Sequence, residues 1–372
     1  MKYYLIAGEA SGDLHGSNLV KELYKLDLSA DIRCWGGDKM QAAGATLVKH
    51  YRDLAFMGFT EVIKNLPTIL KNISFCKKDI LAYKPDVLVL IDYPGFNLRI
   101  AKWAREQGLK IVYYISPQIW AWKENRVHAI KKNVDKMLVI LPFEKDFYKK
   151  WNFDAEYVGH PLVEVIEDFE RDHPAMTHNK TATIALLPGS RQQEINIKLP
   201  IMLSVAKHFP QYQFVVAKAP GLPPEFYDRF LAPYKNVGAV LNQTYELLSG
   251  ANAALVTSGT ATLETALFAV PEIICYKGNA ISYQIAKRLI KIKYIGLVNL
   301  IMDKPVVKEL IQDELTEVHL VKELRLLLED EHRKKTLAKD YADLKTLLKS
   351  GGHASANAAR SVYQLVTNAS VI

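Results

Sequence analysis

A few short stretches carry residues able to do chemistry. Asp92 stands in Asp92-Tyr93-Pro94-Gly95-Phe96-Asn97, directly after the aliphatic run Val87–Ile91. A carboxylate at the end of a buried strand loses water. Its pKa then rises toward neutrality, which suits a general base. The same residue could equally be a turn aspartate capping the next helix, and Asn97 is a second candidate for that cap. Three loops rich in Gly, Ser or Pro follow apolar runs. The first, Gly8-Glu9-Ala10-Ser11-Gly12-Asp13, reads as a tight strand-to-helix turn capped by Ser11 or Asp13, or as a ligand loop. It matches neither G-x-G-x-x-G nor G-x-x-x-x-G-K-[ST], so a standard dinucleotide fold and a P-loop both lose support. The second is Leu187-Pro188-Gly189-Ser190-Arg191. Its glycine and serine can present backbone N–H groups. Arg191 can clamp a phosphate or simply pair with Glu194. The third, Thr257-Ser258-Gly259-Thr260-Ala261-Thr262-Leu263-Glu264, sets a Ser/Gly/Thr first turn on a helix. Free N–H groups there suit a pyrophosphate, and Glu264 can accept from ribose hydroxyls. The alternative is an ordinary N-cap with a favourable acid near it. Two such loops in one half favour a nucleoside diphosphate.

The histidines form no H-x-x-x-H or H-E-x-x-H pair, and nothing points to a metal. His160 sits at a strand end, and His15 lies in the first loop. The segment Tyr113–Trp122, with Gln118 and Trp120, is dense in aromatics. It reads as core and loop packing, or as a platform for a sugar or acyl group.

These residues need strand ends to hold them. Apolar runs at Tyr3–Ala7, Val87–Ile91, Lys110–Ile115 and Lys136–Leu141 alternate with helical patterns at Leu14–Leu26 and Leu98–Gln107. The second half repeats the theme: strands at Ala182–Leu187, Gln213–Ala217, Ala253–Thr257 and Ile273–Tyr276, and a helix at Ala261–Phe268. That order implies an α/β chain with doubly wound parallel sheets. The charged stretch Glu167–Pro174 reads as a linker between the halves. Gly351-Gly352 marks a turn before a last helix.

The length of 372 residues fits two domains. With 49% apolar residues, a disordered chain is excluded. Three scattered cysteines, Cys34, Cys76 and Cys275, offer no disulfide framework and fit a reducing compartment. No run reaches the length of a membrane span, and the start is too short in its apolar part for a signal peptide. The net charge of +8 suits an anionic surface or a phosphate-bearing substrate. Apolar and basic residues mix over Phe56–Lys78 and Ile281–Lys293. Each reads as a buried helix or as an interfacial membrane patch. Neither resembles a nucleic-acid-binding motif.

Ordered motifs then run nearly end to end. They are Ala7–Asp13, Gly37-x-x-Met40-Gln41-Ala42-x-Gly44, Met57-Gly58-x-x-Glu61-Val62, Asp92-x-Pro94-x-Phe96-Asn97 and Ser116-Pro117-x-x-Trp120-Ala121-Trp122. They continue with Leu141-Pro142-Phe143-Glu144, Gly159-His160, Leu186–Arg191, Ser258-Gly259-Thr260-Ala261-x-Leu263-Glu264 and Asn299-Leu300-Ile301. Together they resemble the lipid-A-disaccharide synthase family. The resemblance implies a B-type glycosyltransferase fold: two Rossmann-like domains facing a cleft, with no metal and no cofactor. It implies inverting transfer of 2,3-diacylglucosamine from UDP to the 6-hydroxyl of 2,3-diacylglucosamine 1-phosphate, giving a β-1,6 disaccharide. Asp92 is then the base. Arg191, Gly189, Ser190, Ser258, Gly259, Thr260, Thr262, Glu264, Tyr276 and Asn299 form the donor side. Glu9, Ser11, Gly12, Asp13, Asn97, Gln118, Trp120 and His160 are the acceptor or cleft candidates. Relatives often carry a second aspartate where this chain has Gly95, and Leu-Pro-Asn where it has Leu297-Val298-Asn299. The implied domains are an acceptor domain over 1–168, with a membrane-interacting segment near 56–78, and a donor domain over 169–345. A helix over 346–372 packs back on the first domain or on a second subunit of a homodimer. The implied location is cytoplasmic, peripheral on the inner membrane, with no nucleic-acid partner.

Overall fold

The computed structural model describes residues 1–54, 66–174, 182–279, 283 and 292–367. The chain divides into two compact units, Met1–Pro161 with Leu348–Ile372, and Leu162–Leu347.

The first unit holds seven parallel strands: β1 (Lys2–Ala7), β2 (Asp31–Gly36), β3 (Thr46–His50), β4 (Val87–Ile91), β5 (Ile111–Tyr114), β6 (Lys136–Val139) and β7 (Ala155–Tyr157). Their order is β3-β2-β1-β4-β5-β6-β7. Alternate residues feed two cores, as a period of two requires. Tyr4, Ile6, Leu88, Leu90 and Tyr113 face one side, with Ile73 and Ile80 of the helix Leu66–Tyr83. Tyr3, Leu5, Ala7, Val87, Val89 and Ile91 face the other. There they meet Leu19, Val20 and Leu23 of the helix Ala10–Leu26, and Ala358, Ala359 and Val362 of the last helix, Ala354–Thr367. Both faces are covered, which is why β4 is aliphatic and β1 is aliphatic and aromatic throughout its buried length.

The last helix therefore belongs to the first unit of its own chain. Lys110 Nζ donates to the Leu365 carbonyl at 2.9 Å, and Asn357 Nδ2 donates to the Val158 carbonyl at 3.1 Å. At the turn before it, a Cβ on Gly159 would lie 2.5 Å from the Gly352 carbonyl oxygen. Only a glycine lets these two backbone segments meet.

The second unit holds six parallel strands: β8 (Thr183–Leu187), β9 (Gln213–Lys218), β10 (Val237–Leu241), β11 (Ala253–Thr257), β12 (Glu272–Tyr276) and β13 (Lys308–Ile311). Their order is β10-β9-β8-β11-β12-β13.

Two expectations change. The charged stretch Glu167–Pro174 is not a linker: Glu167–Asp172 are the end of the helix Pro161–Asp172. Its charge is a solvated helix face, with Arg171 paired to Asp168 at 2.8 Å. The division falls at Pro161 and at Leu348 instead of 168 and 345. Among the described residues no helix is long and apolar enough to cross a membrane. The motif at Met57–Val62, the apolar segment from 56 to 65 and most of 281–291 lie outside the described residues.

Candidate functional site

Each sheet has one place where the chain reverses its direction of travel. In the first it lies between β1 and β4, and in the second between β8 and β11. Loops leaving the carboxyl ends of such neighbours diverge to opposite faces and leave a crevice, the usual ligand position in open α/β sheets. Asp92, the first glycine loop and the loops that follow Leu187 and Thr257 fall at these two places.

In the first unit, Ala7 is level with Ile91, so the glycine loop and Asp92 leave adjacent strand ends. Asp92 and Tyr93 are both left-handed, with φ of 45° and 49°. Two successive non-glycine residues in that region cost energy, and the surroundings over-determine them. The Asp92 N–H donates to the Tyr114 carbonyl at 3.0 Å. The Asp92 carbonyl accepts from the Tyr113 hydroxyl at 2.6 Å and from Asn97 Nδ2 at 2.7 Å. The Tyr93 ring lies on Gly8, where an added Cβ would come within 2.3 Å of it. With its backbone so held, the half-buried carboxyl is fixed at the sheet edge. Burial, and then the neighbouring Glu9 carboxylate, push its pKa up to about 6, against a backbone hydrogen bond from Tyr93. A carboxyl raised in this way can accept a proton near neutral pH.

Asn97 is not a helix cap. It is fully buried, and its amide also reaches the Ile91 carbonyl at 3.2 Å, so it anchors the turn from below. Asp13 is likewise committed to the protein's own backbone. It is buried, and its carboxylate accepts from the N–H groups of Gly37, Lys39 and Met40, capping the short helix Asp38–Ala42. Glu9 is the N-cap residue of the helix Ala10–Leu26, Ser11 is exposed and Gly12 is packed on Ala7. Gln118 is exposed at the start of the short helix Ile119–Trp122. His160 is buried, and burial followed by the charge of nearby His15 pulls its pKa down to about 3. His15 is itself pulled down to about 4, mainly by burial. Both are neutral near pH 7.

Trp120 is committed as well. Its indole Nε1 donates to Glu144 Oε1 at 3.0 Å, while Glu144 Oε2 accepts from the Leu141 N–H at 3.1 Å. Burial carries the Glu144 carboxyl up to about 7. Glu144 thus ties the aromatic segment after β5 to the helix Pro142–Lys149. In the sequence it stood only within the motif Leu141-Pro142-Phe143-Glu144.

In the second unit the loops after β8 and β11 line a pocket of about 330 Å³. Gly189, Ser190, Ser258, Gly259, Thr260 and Glu264 all border it. Gly189 has φ 112°, and a Cβ there would meet Glu194 Oε2 at 2.6 Å. The helix Thr260–Leu267 begins at Gly259 with no side-chain cap, so its first N–H groups face the pocket mouth unclaimed by a side chain. The buried Thr257 hydroxyl lines the pocket without a partner among the described residues. Glu264 accepts from the Tyr245 hydroxyl at 3.0 Å, and burial raises its pKa.

The other donor-side candidates do not border this pocket. Thr262 is buried and donates to the Gly259 carbonyl at 2.8 Å, which braces the loop. Asn299 is buried, and its amide bonds the Val307 backbone on both sides, with Nδ2 also donating to Glu309 at 2.9 Å. It pins a loop. Tyr276 is half-buried, at the end of β12. Arg191 is exposed, and its guanidinium lies 3.6 Å from Glu194. Glu194 also meets the buried Lys198 ammonium at 3.6 Å. Sequence reading missed Tyr245, which holds Glu264, and two lining elements, Glu194 and the Lys218-Ala219-Pro220 turn after β9. The last had a signal, a Pro-Gly turn directly after a strand. Among the described residues no group of three or more His, Cys, Asp or Glu gathers as a metal site.

A family model described as lipid-A-disaccharide synthetase matches residues 3–364. Lipid-A-disaccharide synthase 1 of Legionella pneumophila (strain Paris) is 40% identical over 359 residues, covering 93% of each chain. Lipid-A-disaccharide synthase of Syntrophus aciditrophicus (strain SB) is 39% identical, covering 92% of each. Among solved structures, a UDP-GlcNAc 2-epimerase from Neisseria meningitidis bound to UDP-GlcNAc superposes with a TM-score of 0.69 at 13% identity, over 99% of this chain and 100% of that one. The kitacinnamycin glycotransferase gives 0.68 at 13% identity, over 98% and 99%. Those two likenesses establish the B-type glycosyltransferase fold and no more. The match from residue 3 to residue 364 and the two close relatives go further: this chain belongs to the lipid-A-disaccharide synthetase family and is a glycosyltransferase.

Proposed function

We propose that the protein transfers 2,3-diacylglucosamine from its UDP donor to the 6-hydroxyl of 2,3-diacylglucosamine 1-phosphate, with inversion. The carrying observation is Asp92: a half-buried carboxyl at the switch point of the first sheet, its pKa raised to about 6. The acceptor O–H bond breaks and its proton passes to the Asp92 carboxylate. The oxygen forms a bond to the anomeric carbon on the face opposite UDP. The bond from that carbon to the diphosphate oxygen breaks, and the electron pair leaves with UDP.

The pocket between the loops of β8 and β11 takes the nucleoside diphosphate. The N–H groups at Gly259–Ala261 face the diphosphate and stabilise charge as it develops. Arg191 swings from Glu194 to the phosphates, and Glu194 stays neutralised by Lys198. Glu264 accepts from the ribose hydroxyls. The UDP-GlcNAc-bound relative of the same fold supports a UDP-sugar there.

The lipid character of both substrates calls for a membrane surface. The helix Leu66–Tyr83 exposes Leu70, Phe75 and Leu81 alongside Lys71 and Lys78. A mixed apolar and basic face of this kind suits peripheral binding to an anionic bilayer on its cytoplasmic side.

The test is UDP release with acylated and unacylated donors, with and without acceptor. The proposal expects release that requires the acylated donor and the acceptor. Release or epimer formation without acceptor would instead assign a 2-epimerase, the activity of the structural relative.

A further inference from the structure

Directly after β5, on the same sheet edge as Asp92, Trp122 carries two cations on its ring. Lys123 Nζ lies 4.2 Å from the ring centroid and the Arg126 guanidinium carbon lies 5.5 Å from it. Trp122 is 49% exposed, an unusual exposure for a tryptophan. Among the described residues neither cation has a carboxylate within ion-pair distance. The intervening Glu124 is exposed and pairs with neither. Cation–π contact orders the two side chains but leaves their charge uncompensated.

The position is tied to the base. The segment is anchored by Trp120 to Glu144, and Ser116 Oγ is 2.8 Å from the Tyr148 hydroxyl. Tyr113, in β5 just before this segment, donates its hydroxyl to the Asp92 carbonyl at 2.6 Å. Two ordered cations, without counter-ions among the described residues, lie beside an exposed aromatic face in the segment after β5, the strand paired with the one that ends at Asp92; that combination suits a sugar that bears a phosphomonoester. The ring supports the sugar or the start of its chains. The ammonium and guanidinium take the phosphate dianion.

We propose that Lys123 and Arg126, ordered on Trp122, form the subsite for the phosphate of the acceptor. This rests on the reaction proposed above and adds the group that tells acceptor from donor, since only the acceptor carries a phosphomonoester.

The experiment compares the intact protein with Lys123→Gln and Arg126→Gln, using an acceptor with and without its 1-phosphate. Loss of one charge-assisted contact should raise KM for the phosphorylated acceptor about 10-fold or more. The KM for the donor, the kcat and the KM for the phosphate-free acceptor should stay unchanged. Unchanged KM for the phosphorylated acceptor, or equal losses with both acceptors, overturns the subsite. Binding to phosphatidylglycerol vesicles forms a second arm. If the variants lose vesicle binding and keep their KM, the cations serve bilayer headgroups and the subsite is overturned. If the wild type makes no disaccharide, the reaction reading fails, and calorimetry with glucosamine 1-phosphate against glucosamine decides the subsite alone. Phosphate-dependent binding that both variants weaken upholds it. Binding indifferent to the phosphate or to the variants overturns it.

Discussion

Asp92→Asn should make the enzyme slower and the fold more stable, and the second effect should depend on pH. The carboxyl is carried from an ordinary 3.8 to about 6, chiefly by burial and then by Glu9. A raised carboxyl pKa means that the folded state prefers the protonated form. The stability it allows is fully present below pH ~4 and is lost as pH rises through about 6. At ~1.4 kcal/mol for each tenfold, full ionisation costs at most ~3 kcal/mol. Solvent at the half-buried oxygens reduces that to ~1–3 kcal/mol. Asparagine has the same shape and no charge, so the variant escapes the cost. Its backbone stays pinned by Asn97 and Tyr113, which hold the carbonyl and not the carboxyl. The Tm of the variant should match the wild type near pH 4 and exceed it by several degrees at pH 8, in scanning calorimetry at both values. Turnover should fall at least ~100-fold. A Tm difference that is the same at both pH values would refute the assignment of a raised pKa to Asp92. Turnover within a few-fold of wild type would refute its role as base.

Glu264→Gln should weaken UDP binding by about 10-fold in calorimetry, because a neutral amide is a poorer acceptor for ribose hydroxyls; unchanged affinity would remove Glu264 from the ribose. Arg191→Ala should also weaken UDP binding about 10-fold while changing stability by less than ~1 kcal/mol, since its pair with Glu194 is solvent-exposed. A large loss of stability with intact UDP binding would make it structural. Gly159→Ala combines a φ of 97° with a Cβ 2.5 Å from the Gly352 carbonyl oxygen, so it should cost ~1–3 kcal/mol and release the last helix to limited proteolysis. Equal protease resistance would show that this turn tolerates a side chain. Vesicle association should weaken as salt rises; salt-insensitive binding would assign it to apolar insertion alone.

The strands that hold the candidate sites were legible because they are buried on both faces. Val87–Ile91 runs aliphatic from end to end and Ala253–Thr257 as far as Val256, and their bounds match the expectation. The strands Thr46–His50, Val237–Leu241 and Lys308–Ile311 were not seen: all three are edge strands, the first and last mix polar with apolar residues, and the second is interrupted by Gly238. Asp92 and the loops after Leu187 and Thr257 were legible from strand ends and small residues. The roles of Asp13, Asn97 and Asn299 were not. A buried polar side chain that bonds a distant backbone segment has the same local sequence as one that faces a ligand. Only the partners tell them apart: Gly37 for Asp13, Ile91 for Asn97, Val307 for Asn299. The linker expectation failed for a related reason. Charge over Glu167–Asp172 marks a solvated face, and helices have those as readily as linkers do.

The central claim is acceptor-dependent transfer from a UDP donor with Asp92 as the base. It is tested most directly by following disaccharide formation from UDP-2,3-diacylglucosamine and 2,3-diacylglucosamine 1-phosphate, with wild type and Asp92→Asn side by side and UDP affinity measured on both. The account predicts a β-1,6 disaccharide from the wild type, turnover reduced at least ~100-fold in the variant, and equal UDP affinity. Disaccharide formed by the variant at near wild-type rate, or no disaccharide from the wild type, would contradict it.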